Sequence, residues 1–585
     1  MTRRLMSGNE AVARGAWQAG VAVGVGYPGT PSTEILENLV RYDNVHCEWA
    51  PNEKVAAEVA SGVSLGGARA LVTMKHVGLN VAADPLFTQA YAGVGGGLVY
   101  VVADDPGMHS SQNEQDTRNY AAAAKVLLFE PSDSAEALSF TALAFKVSEL
   151  FDMPAIVRTT TRISHSKSLV EEGPAVEASS RGYSKDISRN VMMPAAARER
   201  RADLTERLAR AQAFSETFQG NRAELRDTAL GVITSGACYQ YVREALPDAS
   251  VLKLSMTFPF PENAVRDFAD KVGEVTIVEE LDPYLLTRVK ALGIDVRELP
   301  LPGMGEYSPG IVAHAFGMAG PQLREPVTDL PPRPPLLCAG CPHRGVFYAL
   351  GRLKAVVTGD IGCYTLGALP PLSAVDSCIC MGASIGMAHG LELAGSARGP
   401  VVAVIGDSTF AHSGMTGLLN TVYNGGAGTV VILDNRTTAM TGHQGNPVNG
   451  ITLSGAEERQ LDLQALITAL GVSDVCEINP HDPIAVLALL REKTAAEGLS
   501  VIIAKAPCAL LSHEKGQPYA VDDEMCTKCG VCVSLGCPAI SKSPTTGMAQ
   551  IDTSQCVGCE QCVRVCRYHA IVPSGDACDI GGGAR

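Results

Sequence analysis

No apolar run in this 585-residue chain approaches the length needed to cross a bilayer. The first ten residues hold Arg3 and Arg4 with no apolar stretch behind them, so the sequence predicts no secretory signal. Charge is scarce, at 19% Asp, Glu, Lys and Arg, and it leans negative, to -15 at neutral pH, which argues against nucleic acid or an anionic membrane surface as partner. Low charge beside 46% hydrophobic residues also argues against extensive disorder. What the chain holds in quantity is glycine, 59, proline, 34, and cysteine, 18. Glycine and proline in such numbers suit compact α/β domains with many short βα loops. Cysteines in this number without an export signal point to a reducing cytoplasm, where thiols serve metals rather than disulfides. At about 150 residues per domain, the length predicts three or four domains.

From about residue 11 to 162, helical stretches alternate with short β-rich runs such as Ala70 to Met74 and Leu98 to Val102, which predicts a parallel α/β domain over 1–165. Between 166 and 229 the pattern breaks, and a charged helix, Pro194 to Phe214, follows with Arg198, Arg200, Arg201, Arg207 and Arg210. Glu199, Asp203 and Glu206 interleave those arginines, so the segment reads as a linker with a solvated or docking helix rather than a nucleic-acid surface. A small α/β unit over 230–330, with strands expected at Gly231 to Thr234, Ser250 to Leu254 and Glu274 to Glu279, carries no evident catalytic cluster. Pro331, Pro332, Pro334 and Pro335 mark a stiff boundary to a third α/β unit over 331–515. A cysteine-rich segment, 516–575, and a glycine-rich tail expected to fray complete the chain.

Eight cysteines in that segment fall into two groups, Cys526, Cys529, Cys532 and Cys537 before Pro538, then Cys556, Cys559, Cys562 and Cys566. The spacing matches a two-cluster bacterial ferredoxin, an α+β domain in which three thiolates hold their own iron-sulfur cube and the fourth reaches its neighbour. That assigns Cys526, Cys529, Cys532 and Cys566 to one 4Fe-4S cluster, and Cys556, Cys559, Cys562 and Cys537 to the other. Four residues rather than three separate Cys532 from Cys537, and Arg567 stands where a second proline is common; neither departure removes a ligand. Zinc sites would use the C-x2-C pairs but would leave the third cysteine of each triad without a purpose.

In the third unit, Pro400 to Ile405 reads as a buried strand ending in Gly406, Asp407 and Ser408, and Thr429 to Leu433 as another ending in Asp434 and Asn435. Neighbouring parallel strands would bring Asp407, Asn435 and the Thr437 carbonyl to one edge as hard oxygen ligands for Mg2+, with positions left for diphosphate. Asp407 followed 28 residues later by Asn435 resembles the diphosphate motif of thiamine diphosphate enzymes, with Ser408 in place of its second glycine. Near the N-terminus, Asn52 and Glu53 open a small-residue helix running to Gly62. Thiamine enzymes use a glutamate so placed as the acid/base that activates the cofactor, and Glu53 is the candidate; the alternative is an idle glutamate favoured by the helix dipole.

These features, together with Gly26 to Glu34 (GYPGTPSTE), resemble the 2-oxoacid:ferredoxin oxidoreductases, and the likeness runs in order through nearly the whole chain. Asp104 to Arg118 (DDPGMHSSQNEQDTR), Cys338 to Arg344 (CAGCPHR) and Asp434 to Gln444 (DNRTTAMTGHQ) narrow it to the indolepyruvate ferredoxin oxidoreductase alpha-subunit family. The resemblance implies oxidative decarboxylation of aryl 2-oxoacids of the indolepyruvate or phenylpyruvate type, with coenzyme A taking the acyl group and an external ferredoxin the electrons. It implies Thr30 at the substrate, Gly406, Asp407, Ser408, Asn435, Thr437 and His343 at the cofactor, and Arg118 and His109 as weaker substrate contacts. It further implies a third 4Fe-4S cluster near thiamine on Cys338, Cys341, Cys363 and Cys508, against four free buried thiols as the plain alternative. Cys47, Cys238, Cys378, Cys380, Cys476 and Cys578 read as ordinary residues. A smaller beta subunit of gamma type would complete a heterotetramer. Two rivals stay open: a non-redox thiamine decarboxylase with structural clusters, and an electron-transfer subunit with an inactive thiamine site.

Overall fold

A computed structural model describes residues 2–318, 327–331, 333–395, 397–512 and 516–575. The tail with Cys578, and Pro332, lie outside the described residues. The chain divides into two compact units between Thr328 and Asp329.

The first unit is built on a seven-stranded sheet in the order Met256–Phe258, Leu127–Phe129, Ala155–Thr160, Leu98–Asp104, Ala70–Lys75, Val23–Gly26 and His46–Trp49. All pairs are parallel except the edge pair made by Met256–Phe258, which the second α/β lobe of the unit contributes. Leu98–Asp104 and Ala155–Thr160 are buried at every position. Helices cover both faces of such a strand, so it opens as an apolar run, and the buried Asp104 and Arg158 near the strand ends pair with each other. The second lobe carries a four-stranded sheet in the order Glu274–Val278, Asp227–Ser235, Ala249–Leu254 and Arg222–Glu224.

The segment expected to be a linker is more ordered than that reading allows. Lys167–Glu172 pairs antiparallel with Thr2–Ser7, and the charged helix, Pro194–Thr217, is docked rather than solvated. The Arg207 guanidinium donates to the carbonyls of Asp152, Ala90 and Tyr91, and Arg200 to those of Tyr91 and Ala92. Those acceptors include the last turn of the helix His76–Ala92, whose carbonyls lack intrahelical partners and carry the negative end of its dipole.

The two lobes of the first unit are tied by buried charge. Arg118, only 1% exposed, donates to Asp116 and Glu279 and to the carbonyls of Glu280 and Asp282. Arg158 pairs with Asp104 and Glu130 beside it. Glu280, which accepts from the Tyr307 amide at 2.7 Å, is pushed up to about 7 by burial. A carboxyl raised in the folded state is stable there in its neutral form, so its contribution is full below the unfolded value near 4.5 and declines as pH rises to about 7. We expect Glu280→Gln, which keeps the acceptor for Tyr307, to leave the thermal midpoint unchanged near pH 4.5. Above pH 7 it should raise it, the gain in stability being roughly 3 kcal/mol at most. Calorimetry of both proteins across that range checks this, and parallel profiles would reject it.

The second unit holds a five-stranded, wholly parallel sheet in the order Val356–Thr358, Val401–Gly406, Gly428–Asp434, Leu499–Lys505 and Asp474–Ile478. Beyond it the cysteine-rich segment forms two small antiparallel pairs, Tyr519–Val521 with Ile571–Pro573 and Ile540–Lys542 with Ala549–Ile551, plus the short helix Gln561–Val565. Mixed parallel α/β architecture with a small α+β module is the fold class expected. No helix among the described residues is long and apolar enough to cross a membrane.

Candidate functional site

In the second unit, Val401–Gly406 and Gly428–Asp434 are adjacent and in register, Gly406 opposite Leu433, so Asp407 and Asn435 leave the sheet side by side at its carboxyl edge. Asp407 is 2% exposed, and its oxygens accept from the Ser408 amide at 2.8 Å and from Asn446 Nδ2 at 3.4 Å. Burial first, and then the neighbouring Asp434, push its carboxyl up to about 7. Asp434 is itself raised by burial, although Arg436 pairs with it. Two acidic side chains in a buried edge, one of them without a cationic side chain paired to it among the described residues, form a donor set that a divalent cation would satisfy. Asn435 Oδ1 accepts from the Thr437 amide at 3.3 Å, and Thr437 Oγ1 donates to the Gln444 carbonyl at 3.2 Å, which fixes the loop that would present the Thr437 carbonyl. Ser408 is bonded by Thr438 Oγ1 at 2.9 Å. Gly406 packs on Tyr364, where an added Cβ would stand 2.6 Å from the ring. His343 is buried and pushed down to about 4 by that burial, so its ring is neutral; its Nε2 lies 3.4 Å from Asn435 Nδ2 and accepts from it. Among the described residues no three His, Cys, Asp or Glu side chains gather as a single-ion site would need. A cation at this edge would therefore rest on one carboxylate, one amide and one carbonyl.

Cysteines of the three quartets expected from the sequence lie near one another, although among the described residues no three close to the spacing of a single-ion site. Cys526, Cys529, Cys532 and Cys566 line one pocket with Lys528, Lys542 and Tyr568. The Cys562 thiol is pushed up to about 12 by burial, with Cys559, Cys556, Cys537 and Cys532 adding to the rise, so Cys537 lies near the later triad. Cys341 is pushed up to about 12 by burial, with Cys338 and Cys363 adding to the rise, and Cys363 to about 11, with Cys508 and Cys338 adding. Thiols that raise one another in a confined space are poor thiolates on their own, and a cationic iron core would neutralise them together. The Cys508 amide donates to the Asn435 carbonyl at 3.0 Å, so Cys508 shares backbone with the Asp407 and Asn435 edge. Gln561 Nε2 donates to the Cys341 carbonyl at 3.0 Å, and Arg344 bridges the carbonyls of Leu337, Cys338 and Leu535.

In the first unit, Glu53 opens the helix Glu53–Leu65 behind the Asn52 cap, whose side chain accepts from the Val55 amide. Its carboxyl is 5% exposed and rests on Gly78, where a Cβ would stand 2.5 Å from Glu53 Oε1. Thr30 lies half-buried in the turn after Val23–Gly26, its carbonyl accepting from Ser110 Oγ at 3.1 Å. Arg118, a weaker expectation for the substrate, is consumed by the buried ties described above. His109 is an exposed loop residue near Glu306.

Over residues 360–504 the chain matches the family described as thiamine pyrophosphate enzyme, C-terminal TPP binding domain. Over 14–222 it matches pyruvate flavodoxin/ferredoxin oxidoreductase, thiamine diphosphate-binding, and over 549–572 the 4Fe-4S binding domain. The indolepyruvate oxidoreductase subunit IorA of Archaeoglobus fulgidus is 41% identical to it, with 97% of each chain covered. Those of Methanothermobacter thermautotrophicus and Thermococcus kodakarensis are 40% and 39% identical, over 97% and 98% of this chain and 97% of each relative. The chain belongs to the IorA family. The likeness drawn from the sequence motifs is the correct one, and the chain carries thiamine-binding domains and a 4Fe-4S domain.

Two polar groups of this IorA-family site escaped the sequence reading. Asn446 reaches Asp407 from a loop without a motif. Asp360 is fully buried and accepts from the amides of Ile361, Gly382 and Ser384 at 2.9, 2.8 and 3.1 Å, holding the start of the helix Ala383–Ala394. It follows the strand Val356–Thr358 as Gly359-Asp360, the same pattern that marked Gly406-Asp407, so the signal was present.

Proposed function

We propose that this chain carries out the ferredoxin-dependent oxidative decarboxylation of aryl 2-oxoacids of the indolepyruvate type, in the cytoplasm, together with a smaller beta subunit in a heterotetramer. A 2-oxoacid anion, coenzyme A and two oxidised ferredoxins would give the acyl-CoA, carbon dioxide, a proton and two reduced ferredoxins. Bound thiamine diphosphate supplies a carbon nucleophile for the keto carbon, and sulfur-ligated iron supplies one-electron acceptors. The chain's own residues do the rest. Asp407, Asn435 and the Thr437 carbonyl hold Mg2+ on the diphosphate, with Gly406, Ser408 and His343 lining the cofactor. Glu53 holds or releases a proton at its carboxyl, and Thr30 orients the substrate. The three cysteine quartets carry three 4Fe-4S clusters.

The observation that supports this reading best is the 3.0 Å bond from the Cys508 amide to the Asn435 carbonyl, which joins the backbone of one proposed cluster ligand to that of one proposed cation ligand. A non-redox decarboxylase has no use for that adjacency. An inactive site is disfavoured because Glu53, Asp407 and Asn435 are all present and buried. The test is anaerobic purification with the partner subunit, then a panel of 2-oxoacids with and without coenzyme A, following viologen reduction. Aryl 2-oxoacids should reduce the dye and yield acyl-CoA. Aldehyde without dye reduction supports the non-redox rival, and a complex with neither thiamine nor iron removes the proposal.

A further inference from the structure

We propose that Lys75 holds the carboxylate of the 2-oxoacid beside Thr30 and Glu53. The assignment rests on the function proposed above. An aryl 2-oxoacid enters as an anion, and placing it near a buried glutamate costs several kcal/mol unless a cation or several donors meet it, on the order of the penalty for an unpaired buried charge. Arg118 is not free to do this. Its N–H groups are committed to Asp116, Glu279 and two carbonyls, and it is buried behind them.

Lys75 is placed for the task. It ends the strand Ala70–Lys75, which lies between Val23–Gly26 and Leu98–Asp104, and so stands at the carboxyl edge of the sheet centre, where open α/β sheets bind ligands. Its stem passes under the turn that carries Thr30: a Cβ added at Gly29 would stand 3.3 Å from Lys75 Cγ and Cδ. Its ammonium has three donors and, among the described residues, one hydrogen bond, 2.8 Å to the Ser110 carbonyl. Ser110 Oγ then donates to the Thr30 carbonyl at 3.1 Å, so ammonium and threonine are linked through one residue.

Two carboxylates act on Lys75 electrostatically, Asp105 and Glu53. Asp105 already accepts from the Ser110 amide at 2.8 Å and from Ser111 Oγ and Thr161 Oγ1 at 2.7 Å each, so it does not need the lysine. Burial outweighs both and brings the ammonium down to about 8. Asp105 and Glu53 do not offset the burial of this cation, and a substrate carboxylate is the further negative partner that the reaction brings.

The test compares wild type, Lys75→Met, Lys75→Gln and Lys75→Arg in the complete complex with its partner subunit. Gln keeps a donor for Ser110 without charge, and Arg keeps the charge. Viologen reduction with phenylpyruvate gives KM and kcat, and competition by 3-phenylpropionate against 3-phenylpropionamide reads the carboxylate preference. The neutral variants should raise KM at least tenfold and lose the preference for the carboxylate inhibitor, while Lys75→Arg retains it. Unchanged KM and preference in either neutral variant overturn the assignment, as does an equal weakening of both inhibitors, which a merely structural lysine would give. Wild-type turnover is measured first. If no aryl 2-oxoacid reduces the dye, the proposed function falls and this assignment with it; if the wild type turns over, the variants judge Lys75 alone.

Discussion

Replacing Glu53 by Gln should reduce turnover by at least a hundredfold while iron and acid-labile sulfide stay at wild-type levels, on the order of the factor carried by a positioned acid/base group. The reasoning is local. Glu53 stands in the first turn of its helix, where the dipole favours negative charge, and its carboxyl is enclosed against Gly78. Glutamine fits that space and keeps an acceptor, so the fold has no reason to change. What it loses is the capacity to take and return a proton. Gly78→Ala is a useful companion, because its methyl would stand 2.5 Å from Glu53 Oε1 and displace the carboxyl without altering its chemistry. Retained activity in Glu53→Gln would remove Glu53 from the role of base.

The second large effect is expected at Asp407. Asp407→Asn should lower the thiamine diphosphate retained after gel filtration at limiting Mg2+ by on the order of a hundredfold in affinity, equivalent to about 3 kcal/mol. Asp407 is the one carboxylate in the proposed cation set, the others being the Asn435 amide and the Thr437 carbonyl. Charge-assisted contacts are roughly twice as strong as neutral ones. The substitution is nearly isosteric and introduces no charge into a buried edge, so the thermal midpoint without added cofactor should not fall. Cofactor content per chain, read by fluorescence after conversion to thiochrome, decides it. Full retention in the variant would show that the cation is held elsewhere.

Some of this was legible in the chain and some was not, for physical reasons. Val401–Gly406 and Gly428–Asp434 announce themselves because parallel strands covered on both faces must be apolar throughout, and each run stops at an acid or amide that cannot enter the core. The 4Fe-4S domain is legible because a cube dictates cysteine spacing. Met256–Phe258 was missed: three residues give no period, and their place is set by Leu127–Phe129, far back in the chain. Lys167–Glu172 alternates too weakly to read as a strand because it only pairs with Thr2–Ser7 at the surface. The docked face of Pro194–Thr217 is hidden for another reason. An arginine aimed at the open carbonyls of another helix has the same letter as one in water. Arg118 shows the same limit more sharply, since its partner Glu279 lies 161 residues away.

Gln561 and Arg344 fasten the cysteine-rich module to the sheet that bears Asp407 through buried backbone carbonyls. Close approach adds to this, since a Cβ at Gly340 would strike Val557 at 2.3 Å. A carrier riveted in this way cannot swing on a tether between donor and acceptor. Current must leave by tunnelling across fixed gaps, so solvent viscosity should slow only the encounter with the outgoing protein, never the passage within the chain.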